Sequence, residues 1–134
     1  MGASPIKLSP QERIARAQAL YAALNAGNLD RAAEYLSDDL VFHSPVFPQP
    51  VGKGALVAAS QRIVDATDEY TLEIHDILAN DQHVVAVFVV RGRRGERVLN
   101  ERGVHVLHLD DEGKVAELWA VTDPKPHLAL WGDS

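Results

Sequence analysis

The chain has no cysteine, and that absence excludes disulfides, thiolate metal ligands and a cysteine nucleophile together. It also has no apolar run near the roughly 18 residues that a membrane helix needs. Basic residues are in the minority: 13 Lys and Arg stand against 19 Asp and Glu, a net charge of -6. A polyanionic partner is therefore not expected, because nucleic-acid affinity rests on cations that neutralise phosphates. The exception is RGRRGER, Arg91 to Arg97. Its glycines suit a turn and it lacks aromatic stacking partners, so it reads as a solvated hairpin tip. The opening MGASPIKLSP has no apolar core of the secretory kind, and Ile6 stands where a myristoylation motif takes Ser or Thr. A cytoplasmic location, with no membrane partner, is the resulting expectation.

What is present is a chain of 134 residues, 46% apolar and 24% charged, the size and composition of one globular domain. A single domain over residues 1–134 is expected, with residues 1–8 a flexible N-terminus. Ser9-Pro10-Gln11-Glu12 has the form of a capping box, with Pro at the first helical position. Ile14, Ala17, Leu20, Tyr21 and Leu24 then repeat at helical spacing up to Gly27. Asn28 can cap a shorter helix that turns Leu29, Ala32, Ala33 and Leu36 inward, and Ser37, Asp38 and Asp39 break its pattern. Leu40 to Ser44 reads as a strand stopped by Pro45, and Ala55 to Ala66 as a third helix. From Tyr70 the period becomes two: strands are expected over Tyr70 to Leu78, His83 to Gly92, Arg97 to Leu109 and Lys114 to Thr122. Helices first and an antiparallel meander afterwards make an α+β fold. The third of these five strands, His83 to Gly92, is apolar at nearly every position, so both of its faces should be covered. Helices can cover only one, which makes a homodimer the expected cover for the other.

Two stretches, YAALNAGNLDRAAEYLSDDLVFHSPVFPQPVGKG and GVHVLHLDDEGKVAELWAV, resemble the SnoaL-like and ketosteroid isomerase-like branch of the nuclear transport factor 2 superfamily. The resemblance implies a cone of three N-terminal helices packed on a curved, mainly antiparallel sheet, enclosing a pocket for an apolar small molecule. In ketosteroid isomerases a helix Tyr and a protonated Asp hold the substrate oxyanion and an Asp before a Pro moves the proton. Matched by motif, those positions hold Leu20 (with Tyr21 next to it), His105 and Ser44. The acid that SnoaL-type cyclases place beside the last-strand Trp is here Ala120, after Trp119. Steroid isomerisation by the known route is not expected.

A histidine-biased set remains. Imidazole gives or takes a proton near neutral pH without the burial that a carboxylate requires, so His105 is the candidate acid or oxyanion donor and His43 its candidate base. Ligand effects at these two should vary between about pH 5 and 8. Alternation puts His105 on the face of Leu107 and Leu109, and turns His43 away from Phe42 and Ser44 unless the residue before Pro45 bends the strand. Leu20, Tyr21, Phe42, Ser44, Leu107, Leu118 and Ala120 are the candidate ligand-binding residues, and Trp119 belongs to the outer face. His75 shares a face with Glu73, which permits either an oriented imidazole or a salt bridge across a dimer. His83, His127 and Trp131 fall at turns or in the tail, with Trp131 a candidate lid. No metal and no cofactor are expected. The reading is a small SnoaL-like protein that moves protons on a hydrophobic or polyketide-like metabolite, as an isomerase, cyclase, dehydratase or epoxide-opening lyase. The alternative is a non-catalytic dimeric binding or accessory domain.

Overall fold

The computed structural model describes residues 8–131, the side chains of His127, Leu128, Leu130 and Trp131 excepted. The elements in chain order are α1 (Pro10–Asn25), α2 (Leu29–Ala33), β1 (Leu36–His43), α3 (Lys53–Ala66), β2 (Glu69–Ala79), β3 (His83–Arg94), β4 (Arg97–Leu109), β5 (Val115–Thr122) and α4 (Pro124–Trp131). The first helix begins where local chemistry dictates. Glu12 N donates to Ser9 Oγ at 3.1 Å and Ser9 N to Glu12 Oε1 at 3.0 Å, so two otherwise orphaned N–H groups are satisfied. It ends at Gly27, whose φ of 71° lets Asn28 N reach back to Ala23 O at 3.0 Å. Asn28 then caps α2 through Arg31 N at 3.2 Å.

The five strands form one sheet in the order β1-β5-β4-β3-β2. All neighbours are antiparallel except β1 and β5, which run parallel. This is the α+β architecture expected, with three corrections. Strand β1 starts at Leu36, not Leu40: Leu36 pairs with Val115 ahead of a register shift, and Asp38 and Asp39 sit exposed on this edge strand, where charge is tolerated. The tail adds a fourth helix, α4. And Leu8, assigned to a flexible leader, is buried in the main core. Residues 1–7 of that leader, and the side chains of His127 and Trp131, lie outside the described residues.

The sheet's inner face carries the core. Val84, Ala86 and Leu107 pack with Ala17, Leu20 and Tyr21 of α1 in one cluster, while Phe88, Val90 and Leu99 form a smaller one further along. The free edge of β2 is clamped by one side chain: Asn25 Nδ2 donates to Leu72 O and Asn25 Oδ1 accepts from Leu72 N, both at 2.9 Å. This amide substitutes for a missing strand neighbour and pins the end of α1 to the sheet. The basic run closes the β3–β4 hairpin as expected, and Asp68 holds it by accepting from Gly95 N at 2.8 Å and Arg93 Nη1 at 3.2 Å. Among the described residues no helix is long and apolar enough to cross a membrane.

Helix α3 differs from the others. It has an apolar stripe that includes Leu56, Ile63 and Val64, yet none of its residues is fully buried. A helix whose apolar side meets no floor stands off from the sheet, and the space beneath it is the cavity described next.

Candidate functional site

The cavity encloses about 220 Å³ between the three N-terminal helices and the inner sheet face. Leu20, Tyr21, Phe42, Ser44, Leu118 and Ala120, all candidate ligand-binding residues, line it. Its walls are mostly apolar, and its two titratable groups other than tyrosine, His105 and Glu101, both come from β4.

The first is His105. Tyr21 Oη lies 2.9 Å from His105 Nδ1, with the two rings nearly parallel at 14°. Phe88 packs against the same imidazole, ring centres 4.4 Å apart. Burial holds the imidazole down to about 4, and burial also pushes the Tyr21 phenol above its ordinary range, so both groups are neutral at pH 7. A neutral phenol and a neutral imidazole carry one polar hydrogen each, and their mutual bond uses one. Whichever nitrogen is protonated, the pair keeps one O–H or N–H hydrogen that it does not spend on itself. Ala120 stands directly across from His105 on β5, a small residue that leaves room beside the imidazole.

The second is Glu101, which the sequence reading passed over. It is 8% exposed and lines the same cavity, beside Tyr70 and Thr122. Burial raises the Glu101 carboxyl above the usual range, the Thr122 hydroxyl opposes that by donating to it, and the Asp123 charge adds to it. Tyr70 is pushed up to about 12, by burial first and the Glu101 charge second. The signal was present: Glu101 and Gly103 share the inward parity of His105 on one strand.

Gly103 sits between the two. A Cβ there would lie 2.8 Å from the Phe88 ring and 2.5 Å from Thr122 Cγ2, closer than real side chains approach. Only glycine lets Phe88 lie across the floor between Glu101 and His105.

Two expected site residues, the ligand-binding Leu107 and the base His43, lie outside the cavity wall. Leu107, on the inward face as read, is fully buried in the main core and takes no part in the cavity wall; α1 covers the sheet at that point, and only the part of β4 beyond the helix is open. His43 follows strict alternation and turns outward. Its Nε2 meets Glu117 Oε2 at 2.7 Å, and its ring stacks on Trp119 at 5.4 Å and 5°. His43 and His105 therefore occupy opposite faces and cannot grip one ligand. His75, at an irregularity in β2, lies 3.7 Å from Glu73, whose tighter partner is Arg91 at 2.7 Å.

Helices laid over one face of a mixed sheet, with a cavity walled by aliphatic side chains and a few convergent polar groups, define a class of small single-sheet cavity proteins. The chain belongs to the SnoaL-like domain family, whose model matches residues 17–118. No curated protein matches it. Among solved structures it is similar to AclR of Streptomyces galilaeus, a candidate hydroxylase: 25% identity, TM-score 0.77, 90% of this chain and 81% of that one covered. IdmH of Streptomyces antibioticus, a candidate polyketide cyclase, shares 22% identity with TM-score 0.76 over 91% and 99%. An LEH-like epoxide hydrolase of M. tuberculosis shares 21% with TM-score 0.76 over 91% of each chain. At these identities the last two show the fold alone.

Proposed function

We propose that the protein is a cofactor-independent proton-transfer enzyme acting on a small, largely apolar molecule that carries a carbonyl or ether oxygen, held in the cavity with that oxygen against His105 and Tyr21. The observation that carries this reading is the spare polar hydrogen of the Tyr21–His105 pair in an apolar, water-poor enclosure. A donor fixed in such surroundings stabilises developing negative charge on oxygen far better than water does, because it needs no reorganisation when the charge appears. That chemistry serves enolisation, cyclisation, dehydration and epoxide opening alike, and the cyclase and epoxide hydrolase names among its structural neighbours are compatible with it, whereas a hydroxylase, like the one named for AclR, would need an oxidant that proton transfer does not supply. The direct test uses 2-tetralone in D2O, with NMR following deuterium entry at the carbon beside the carbonyl. Wild-type protein is expected to accelerate exchange, the Tyr21–His105 donor holding the developing enolate oxygen while solvent takes the α-proton and returns deuterium, and His105→Gln and Tyr21→Phe are expected to abolish most of the acceleration.

One observation favours the second reading, a ligand-binding module. The base expected at His43 faces away from His105, and Ser44 stands where relatives of the ketosteroid isomerase type carry a carboxylate. Binding of 2-tetralone with no acceleration of exchange would select that reading.

The outer sheet face supports self-association. Leu78, Val85, Val106 and Trp119 stand in register across four strands, and Val87, Val104 and Val121 form a second row beside them. Val87 and Val121 are exposed. A contiguous apolar area of this kind is unusual on a soluble monomer, and a second copy of the chain would cover it about a two-fold axis. Light scattering at low micromolar concentration should give twice the 14.6 kDa chain mass; a monomer there removes the dimer.

A further inference from the structure

Strand β4 brings two titratable groups, Glu101 and His105, to the cavity wall, and the proposed function uses one. Glu101 and His105 project from the same face of β4 and are four residues apart, about 13 Å at the ordinary rise of a strand. Between them lie Gly103 and the Phe88 ring, an apolar floor. At that separation Glu101 cannot exchange a proton with the bond that His105 polarises in a small ligand, since acid–base partners act within hydrogen-bond reach. Yet a buried carboxyl costs free energy to keep, and this one faces the space that a ligand would fill. Thr122 donates to it and holds its oxygens in place, while burial and the nearby Asp123 charge push the carboxyl towards its protonated form, which still offers a carbonyl oxygen as acceptor to a ligand hydroxyl.

We infer that Glu101, positioned by Thr122 and flanked by Tyr70, is a second recognition point of the cavity, which selects elongated, rigid, largely apolar molecules bearing an oxygen acceptor at one end and a hydroxyl donor at the other. The inference rests on the cavity reading above and extends it from a single polar anchor to a ligand of defined length and polarity. A hydroxyl delivered to Glu101 forms the hydrogen bond that the buried carboxyl otherwise lacks from a ligand. A ligand of the same shape without the hydroxyl leaves the carboxyl with the Thr122 hydroxyl alone and strips water from its remaining lone pairs, a penalty larger than the value of an average hydrogen bond.

The probes are three rigid biphenyls: 4-acetyl-4′-hydroxybiphenyl, its 4′-methoxy counterpart, and 4-acetylbiphenyl. Titration calorimetry on wild-type protein should give the hydroxy compound about tenfold or greater affinity over each of the others, the advantage expected of one hydrogen bond to a buried carboxyl. In Glu101→Leu the three should bind within about threefold of one another. Thr122→Val, which removes only the positioning hydroxyl, should shrink the advantage without removing acetylbiphenyl binding. Should Glu101→Leu fail to fold, the hydroxy-to-methoxy ratio on wild type still decides. If acetylbiphenyl binds but the hydroxyl adds nothing, or its advantage survives Glu101→Leu, the second recognition point is wrong and the cavity reading stands. If none of the three binds, while 2-tetralone does, the assigned ligand length is wrong and the inference falls alone. If no apolar ketone of either kind binds, both readings fall together.

Discussion

His105 and His43 are the same side chain on the two faces of one sheet, and the difference between them is environment alone. On the inner face a phenol, a phenyl ring and aliphatic walls surround the imidazole, and burial holds it neutral at pH 7. On the outer face His43 is about a third exposed, pairs with Glu117 and lies flat on Trp119. A hydrogen bond of 2.7 Å to a carboxylate in contact with water contributes little to stability, whereas one of 2.9 Å to a buried phenol fixes a donor in a mostly apolar cavity. What separates a candidate catalytic group from an orienting surface contact is therefore which face it occupies, and the number of polar neighbours does not decide it.

The largest expected effect tests that contrast directly. His105→Gln and Tyr21→Phe should each slow 2-tetralone exchange by roughly 100-fold, the usual cost of removing an oxyanion donor, while His43→Gln should change it less than about threefold. Equal losses at both histidines would break the comparison.

Acid stability is next. The folded-state value for His105 lies below its unfolded value, near 4 against 6.5. Above pH 6.5 neither state is protonated and the group has no pH effect. As pH falls from about 6.5 to about 4 the unfolded chain takes up a proton that the folded one refuses, so stability drops by roughly 3 to 3.5 kcal/mol at most, and the slope ends below pH 4. Urea denaturation across this range should show the decline in wild type and a shallower one in His105→Gln. The same shift moves the expected titration of this imidazole below the window of pH 5 to 8 that an unperturbed histidine would give, because burial penalises the charged form.

Gly103→Ala should destabilise by about 2 kcal/mol through overpacking against Phe88 and Thr122, read as a lowered urea midpoint at unchanged slope. It should also weaken acetylbiphenyl binding, since the floor of the cavity must shift. Smallest of all, Glu117→Gln should cost under about 1 kcal/mol, as for an ion pair near the surface; a larger loss would mean that the outer face is covered in solution.

Much of this was legible in the chain. Ser9 and Glu12 announce the start of α1, Gly27 its end, and period-two alternation assigns His105 inward and Trp119 outward. The same alternation, applied strictly, turns His43 outward too, and Pro45 did not bend the strand enough to overrule it. Glu101 was readable by parity and went unread because a glutamate on a strand suggests an exposed face. The limits show at Leu36, where an acidic edge segment looks like a breaker but pairs with Val115 contributed by a strand some eighty residues away.

The sequence by itself determined where elements begin and end and which side of each strand faces the helices, because caps, turns and alternation act between residues a few positions apart. Only the tertiary structure decided that Leu107 is sealed in the core while His105 and Glu101, on the same face of the same strand, look into open space. That outcome depends on where α1 stops and how far α3 stands from the sheet, and both are set by packing among segments distant in the chain, which no local pattern encodes.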